Sequence, residues 1–285
     1  MLFFSQSGNI LRVISQEPFY PNDILLLFWE KFYIFYFMRF YTKTFLLTFL
    51  SIFCISSFGF SQNSITVNYP ESYYIFRDET MNDVNKNLEY YTPLYNNIVS
   101  EISRDFSGNE KEIILAKIEY FMGRLYRNKK QNKDAENFFN SAIERCKKIL
   151  KKENNVEANL IQAECISQNC IIKSTAYAIS NGPKIKTLSQ KALDIDPAYG
   201  SAKYINNSQN IFTPAPFNNY KEGVECLDEL LFTDKYRMDK LDIYFAYSAK
   251  GYVCIQEKDF EKARYWIDLA LEIYPENQYL IELRP

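Results

Sequence analysis

The chain has 285 residues, 24% of them charged, with 33 Lys/Arg against 35 Asp/Glu, and it contains no histidine. That absence removes Ser–His and Cys–His nucleophiles, His-ligated zinc and the commonest general base, and the eight glycines form no phosphate-cradling loop. A slightly negative chain without a basic stripe is also a poor ligand for nucleic acid, since phosphate binding draws on clustered cations.

Neither cofactor nor metal is therefore expected, and the chain reads as non-catalytic. The nearest approach to a carboxylate pair, Glu225 with Asp228 and Glu229, has the spacing of a solvated helix face. Lys129, Lys130 and Lys133 read as a solvated turn between helices.

Two apolar stretches come first. Residues 24–37 are broken by Glu30 and Lys31, whereas residues 45–60 are uncharged, follow Arg39 and Lys43, and end in small residues before Gln62. The second layout is that of a signal peptide starting at Met38 and cleaved after Ser61. Residues 1–37 are then expected to be upstream sequence from an over-long gene prediction, 38–61 the signal, and the product exported to the periplasm, soluble or peripherally attached. Each stretch is short for a membrane-spanning helix, so membrane attachment is expected only through an uncleaved signal. Lipidation at Cys54 is the alternative, disfavoured by bulky Phe53 before it.

Residues 62–80, with Pro70 early, read as an extended lead-in to a helical domain over 81–285. Leu88, Tyr91, Leu94, Tyr95, Ile98 and Ile102 form the first apolar stripe, closed by Gly108–Asn109. Helices are then predicted at 110–128 and 132–151, with Asn132 or Asp134 as N-cap, and from about 156 to 179, where Asn181–Gly182–Pro183 is expected to stop the chain. Shorter helices follow at 185–194, 198–211 and 221–231, then a hairpin at 240–255 and 259–273 and a closing helix after Pro275. The five cysteines beyond residue 61 are an odd number, and Cys165 and Cys170 lie too far apart on one helix to bridge, so no full disulfide framework is expected.

Superimposed on these helices is a 34-residue period. From Ala116, Gly123, Ala135 and Ala142 take the slots where small side chains let two helices close, and from Tyr244 the same slots hold Gly251, Ala263 and Ala270, with Pro275 ending the unit. Lys191–Pro197 reads as the end of an eroded copy. The next copy, from Gly200, needs about four inserted residues, and two prolines and two asparagines in Phe212–Tyr220 locate them.

This spacing resembles the tetratricopeptide repeat (TPR), and the resemblance implies an all-α, right-handed solenoid of about ten antiparallel helices. The order Lys191–Pro197, Thr213–Gly223 and a full terminal repeat is similar to the TPR-containing T component associated with tripartite ATP-independent periplasmic (TRAP) transporters. Phe217–Asn218–Asn219 stands where that family has Phe-Gly-Gly. The resemblance implies an exported scaffold that associates with the transporter's substrate-binding protein and contacts hydrophobic ligand. The partner is thus expected to be a protein, such as a periplasmic solute receptor. A small apolar molecule held in an enclosed helical cavity is the alternative.

In such a repeat the first helix of each pair lines the concave side. The groove-facing slots hold Tyr120, Arg124 and Arg127, then Tyr177, then Tyr204 and Phe212, then Phe245, Tyr252 and Ile255, and the inserted loop adds Phe217 and Tyr220. Flat rings suit an extended peptide or an apolar molecule, and the two arginines suit a carboxylate.

Overall fold

Helices in this chain tend to begin where a short polar side chain can take up the first free amides. The computed structural model describes residues 67–83 and 86–285, and eleven helices follow one another among them. They are α1 (Glu71–Met81), α2 (Leu88–Asp105), α3 (Gly108–Asn128), α4 (Asn132–Leu150), α5 (Val156–Ile172), α6 (Thr175–Ile195), α7 (Gly200–Phe212), α8 (Tyr220–Phe232), α9 (Lys240–Gln256), α10 (Phe260–Ile273) and α11 (Gln278–Leu283). Asn87, Asn155, Ser174, Asn219, Asp239, Asp259 and Asn277 each accept a first-turn amide, and Asp239 and Asp242 form a reciprocal capping box at α9. The described residues are all-helical apart from one isolated parallel bridge between Tyr199 and Arg237.

Successive helices pair as α3/α4, α5/α6, α7/α8 and α9/α10, and each pair rests on the next through α4 on α5, α6 on α7 and α8 on α9. The first helices of the pairs also touch in series, α3 on α5, α5 on α7 and α7 on α9. Small residues set the closeness. A Cβ on Gly123 would stand 2.5 Å from the Phe139 ring, and one on Gly251 would stand 2.7 Å from Ile267. Ala135, Ala142, Ala263 and Ala270 are wholly enclosed. The expected small-residue slots are thus the helix-to-helix contacts in both clear copies, and one apolar core runs from Val67 to Leu280.

The two ends of the described chain meet. The Arg77 guanidinium on α1 pairs with Asp239 at 2.8 Å, the Tyr274 hydroxyl donates to Asp78 at 2.7 Å, and Asn277 Nδ2 donates to the Met81 carbonyl at 2.7 Å. Helix α1 also packs on α2 and α3.

Three expectations about local structure change. Residues 71–81 are helical rather than extended: Pro70 provides an extended entry, and Tyr73, Phe76 and Met81 are buried, with the Tyr73 ring 6.1 Å from that of Phe121 on α3. The periodicity there is weak because Tyr74 and Ile75 stay exposed, and packing stabilises what the pattern does not announce.

Asn181–Gly182–Pro183 does not end a helix. The break comes earlier, at extended Lys173, where Ser174 caps the restart, and α6 runs through the proline to Ile195. Asn181 Nδ2 donates to the Tyr177 carbonyl at 3.1 Å and Gln209 Nε2 to the Gly182 carbonyl at 2.9 Å, so side chains serve carbonyls around the proline. At α4 the N-cap is Gln131, with Asn132 and Asp134 inside the first turn.

Residues 1–66, including the signal region, Cys54 and the start of the lead-in, lie outside the described residues. Among the described ones, no helix is long and apolar enough to cross a membrane, and no group of three or more Cys, Asp or Glu side chains is arranged to hold a metal ion. Cys146, Cys165, Cys170, Cys226 and Cys254 all carry free thiols.

Candidate functional site

The groove-facing slots divide into three places. Tyr120 and Arg124 of α3 meet Tyr204 of α7 and Phe245 of α9, with Arg127 one turn further along α3. Arg124 Nη1 donates to the Tyr120 hydroxyl at 2.9 Å, and its guanidinium carbon lies 4.5 Å from the centre of the Phe245 ring. Tyr204 stacks on the other side of this group, its ring 5.7 Å from Phe245 and tilted by only 17°. The expected open trough is therefore bridged here by its own side chains, because α3 and α9 lie within reach of one arginine.

Arg127 donates from Nη1 to Gln168 Oε1 on α5 and from Nη2 to Asn128 Oδ1 at 2.8 Å. Among the described residues, no carboxylate lies within ion-pairing distance of Arg124 or Arg127, and Arg124 Nε is buried without an acceptor. Burial, and then the charge of Arg124 one turn away, push the Arg127 guanidinium down to about 10. Both side chains are surrounded by protein yet keep accessible surface intermediate between core and exterior.

The second place is the rim. The prolines end α7 as expected. The loop that follows is fixed by Asn219 N donating to the Asn210 carbonyl at 2.8 Å and Phe217 N to the Pro214 carbonyl at 3.0 Å. Phe212 is 46% exposed and lies 5.2 Å, ring to ring, from Tyr252 of α9, while Phe217 is 80% exposed. Tyr220, half-buried, opens α8 beside them. Tyr177, in the third place, does not join either group: it opens α6 with its ring 4.7 Å from the Lys173 ammonium.

Beneath the inner group lies a polar network that the repeat spacing did not flag. Lys117 Nζ donates to Glu164 at 2.6 Å, both side chains being nearly inaccessible, and sits 5.2 Å from the Tyr120 ring. Burial is the largest single influence and opposes the charge on Lys117, but Glu164 together with Glu157 and the neighbouring tyrosines outweighs it and holds the ammonium above its ordinary range. Glu157, raised by burial, accepts from the hydroxyls of Tyr69 and Tyr199. Asp242 accepts from the Ser201 hydroxyl, and burial, then the neighbouring Asp239 charge, push it up to about 7. Charged residues within the apolar runs were the available signal: Lys117 follows Ile113, Ile114, Leu115 and Ala116 on α3, and Glu157 and Glu164 sit beside Val156, Ala158 and Cys165 on α5.

Paired cations, ring faces and neutral acceptors of this kind suit binding. Among the described residues, the most enclosed carboxylates are engaged with Lys117, Arg145, tyrosines or Ser201, or in the case of Asp83 lie near Lys129. Set against family models, curated proteins and solved structures, the chain matches none of them.

Proposed function

We propose that this chain is a non-catalytic scaffold of TPR-like hairpins, arranged as a solenoid, that binds a protein partner through the aromatic rim of Phe212, Phe217, Tyr220 and Tyr252. The observation that carries this reading is Phe217, a large apolar side chain left 80% exposed on a loop that hydrogen bonds hold in place. Exposed rings on a fixed support provide contact area with little side-chain entropy left to lose, the character of an interface anchor. The TRAP-associated resemblance supplies the partner class, an exported solute-binding protein, and with it a periplasmic setting. An apolar ligand held inside the coil is less well supported, because the inner group is closed by rings stacked on a guanidinium.

The test replaces Phe212, Phe217 and Tyr220 together with Ser and compares crosslinked complexes from envelope extracts by mass spectrometry. A specific exported partner should be recovered with the unaltered chain and fall at least about tenfold with the variant, at unchanged helicity. Equal recovery would remove the rim from the interface.

A further inference from the structure

Arg124 and Arg127 stand one helical turn apart on α3, close enough for the charge of one to act on the other, and neither has a counter-charge among the described residues. Every other strongly enclosed cation in the described structure has a carboxylate partner: Arg77 has Asp78 and Asp239, Lys117 has Glu164, and Lys250 has Asp228. The two arginines have only neutral acceptors, Tyr120 for one and Gln168 and Asn128 for the other. Tyrosines near Arg124 are uncharged at neutral pH, so their rings and hydroxyls orient it without balancing its charge. Two like charges held together away from bulk water raise the energy of the empty arrangement, and an anion between them would relieve it.

We propose that Arg124 and Arg127 form a binding site for an oxyanion, a carboxylate or phosphate group. The unpaired Nε of Arg124 offers a donor on the edge of the fork that Tyr120 does not occupy. Gln168 holds the Arg127 fork, and the Phe245 ring, with Tyr204 stacked on it, holds the Arg124 guanidinium in place. The site is separate from the exposed rim and does not depend on a protein partner.

The experiment titrates the full chain with sodium benzoate and, separately, with inorganic phosphate, following thermal unfolding against sodium chloride at equal ionic strength. At least one of the two oxyanions should raise the melting temperature by about 3 °C or more at saturation. Benzoate alone acting would identify a carboxylate site, and phosphate alone a phosphate site. Arg124→Gln and Arg127→Gln should each weaken the effective anion at least about tenfold. Removal of one member of a like-charged pair should leave the ligand-free melting temperature unchanged or higher. If Arg124→Gln fails to fold by circular dichroism, Arg127→Gln decides. No stabilisation beyond chloride, stabilisation that survives in the folded variants, or unfolding of both variants would each overturn the proposal.

Discussion

Replacing Gly123 with Ala tests the packing on which the whole arrangement rests. The added methyl would stand 2.5, 2.7 and 2.9 Å from three atoms of the Phe139 ring, all inside van der Waals contact. Phe139 is fully enclosed, so the ring cannot swing into solvent to make room. Overpacking of this kind costs about 1–3 kcal/mol, and the enclosed ring places it in the upper half of that range. Alanine in place of glycine inside a helix returns about 1 kcal/mol, leaving a net loss of about 1–2 kcal/mol. For a chain of this size that lowers the melting temperature by roughly 2–8 °C. Urea unfolding followed by circular dichroism gives the free energy, and a cycle with Phe139→Leu isolates the contact. The smaller side chain should recover at least about half of the loss when combined with Gly123→Ala. A neutral or stabilising Gly123→Ala, or additive effects within about 0.5 kcal/mol, would refute the idea that this glycine is kept for close helix approach.

Gly251→Ala should be milder, because only one Ile267 atom comes inside 3.0 Å of the added methyl, at 2.7 Å, against three atoms of Phe139 at Gly123, and the same melts will rank the two. Lys117→Met should cost about 3–5 kcal/mol in urea unfolding by leaving Glu164 buried and unpaired. Asp242 contributes a pH dependence of known sign. Its folded carboxyl titrates near 7 against an ordinary value of 3.8, so the native chain keeps a proton that the unfolded chain has lost between those pH values. Stability should therefore fall as pH rises from about 4 to 7, by on the order of 1–3 kcal/mol, and Asp242→Asn should flatten that slope in urea midpoints. In native thiol labelling, Cys146 and Cys165, buried and with thiols pushed up by burial, should react only after denaturation, whereas Cys170, Cys226 and Cys254 react first. Modification of Cys165 in the native state would show that α5 opens locally.

The helical pairs were legible because the signal for them is local. Gly123 with Ala135 and Gly251 with Ala263 recur at fixed intervals, and each glycine meets a large side chain on the adjacent helix. Helix α1 was not legible: its buried Tyr73 and Phe76 are separated by exposed Tyr74 and Ile75, and its polar partners Asp239, Tyr274 and Asn277 come from the far end of the chain. The Asn-Gly-Pro triplet misled because α6 continues through the proline, where Asn181 donates to the Tyr177 carbonyl and Gln209 on α7 to the Gly182 carbonyl, and local rules do not contain the second contact. For the candidate site, the slots put Tyr120, Arg124, Tyr204 and Phe245 on first helices of three pairs, and these side chains come together. The slots could not reveal that Arg124 spans from α3 to α9, because that depends on a contact between helices far apart in the sequence. Tyr177 fell outside because the helix restarted at Ser174 rather than continuing from Ile172.

The clasp between Asp78, Met81 and Arg77 near the start and Tyr274, Asn277 and Asp239 near the end has a kinetic meaning. A row of hairpins in contact only with neighbours can peel from either terminus one unit at a time. Latching beginning to end makes fraying at one extremity expose the other, so loss of structure is pushed toward a single concerted event. During synthesis the same latch has nothing to engage until the last hairpin has left the ribosome, so until then α1 has only α2 and α3 to pack on.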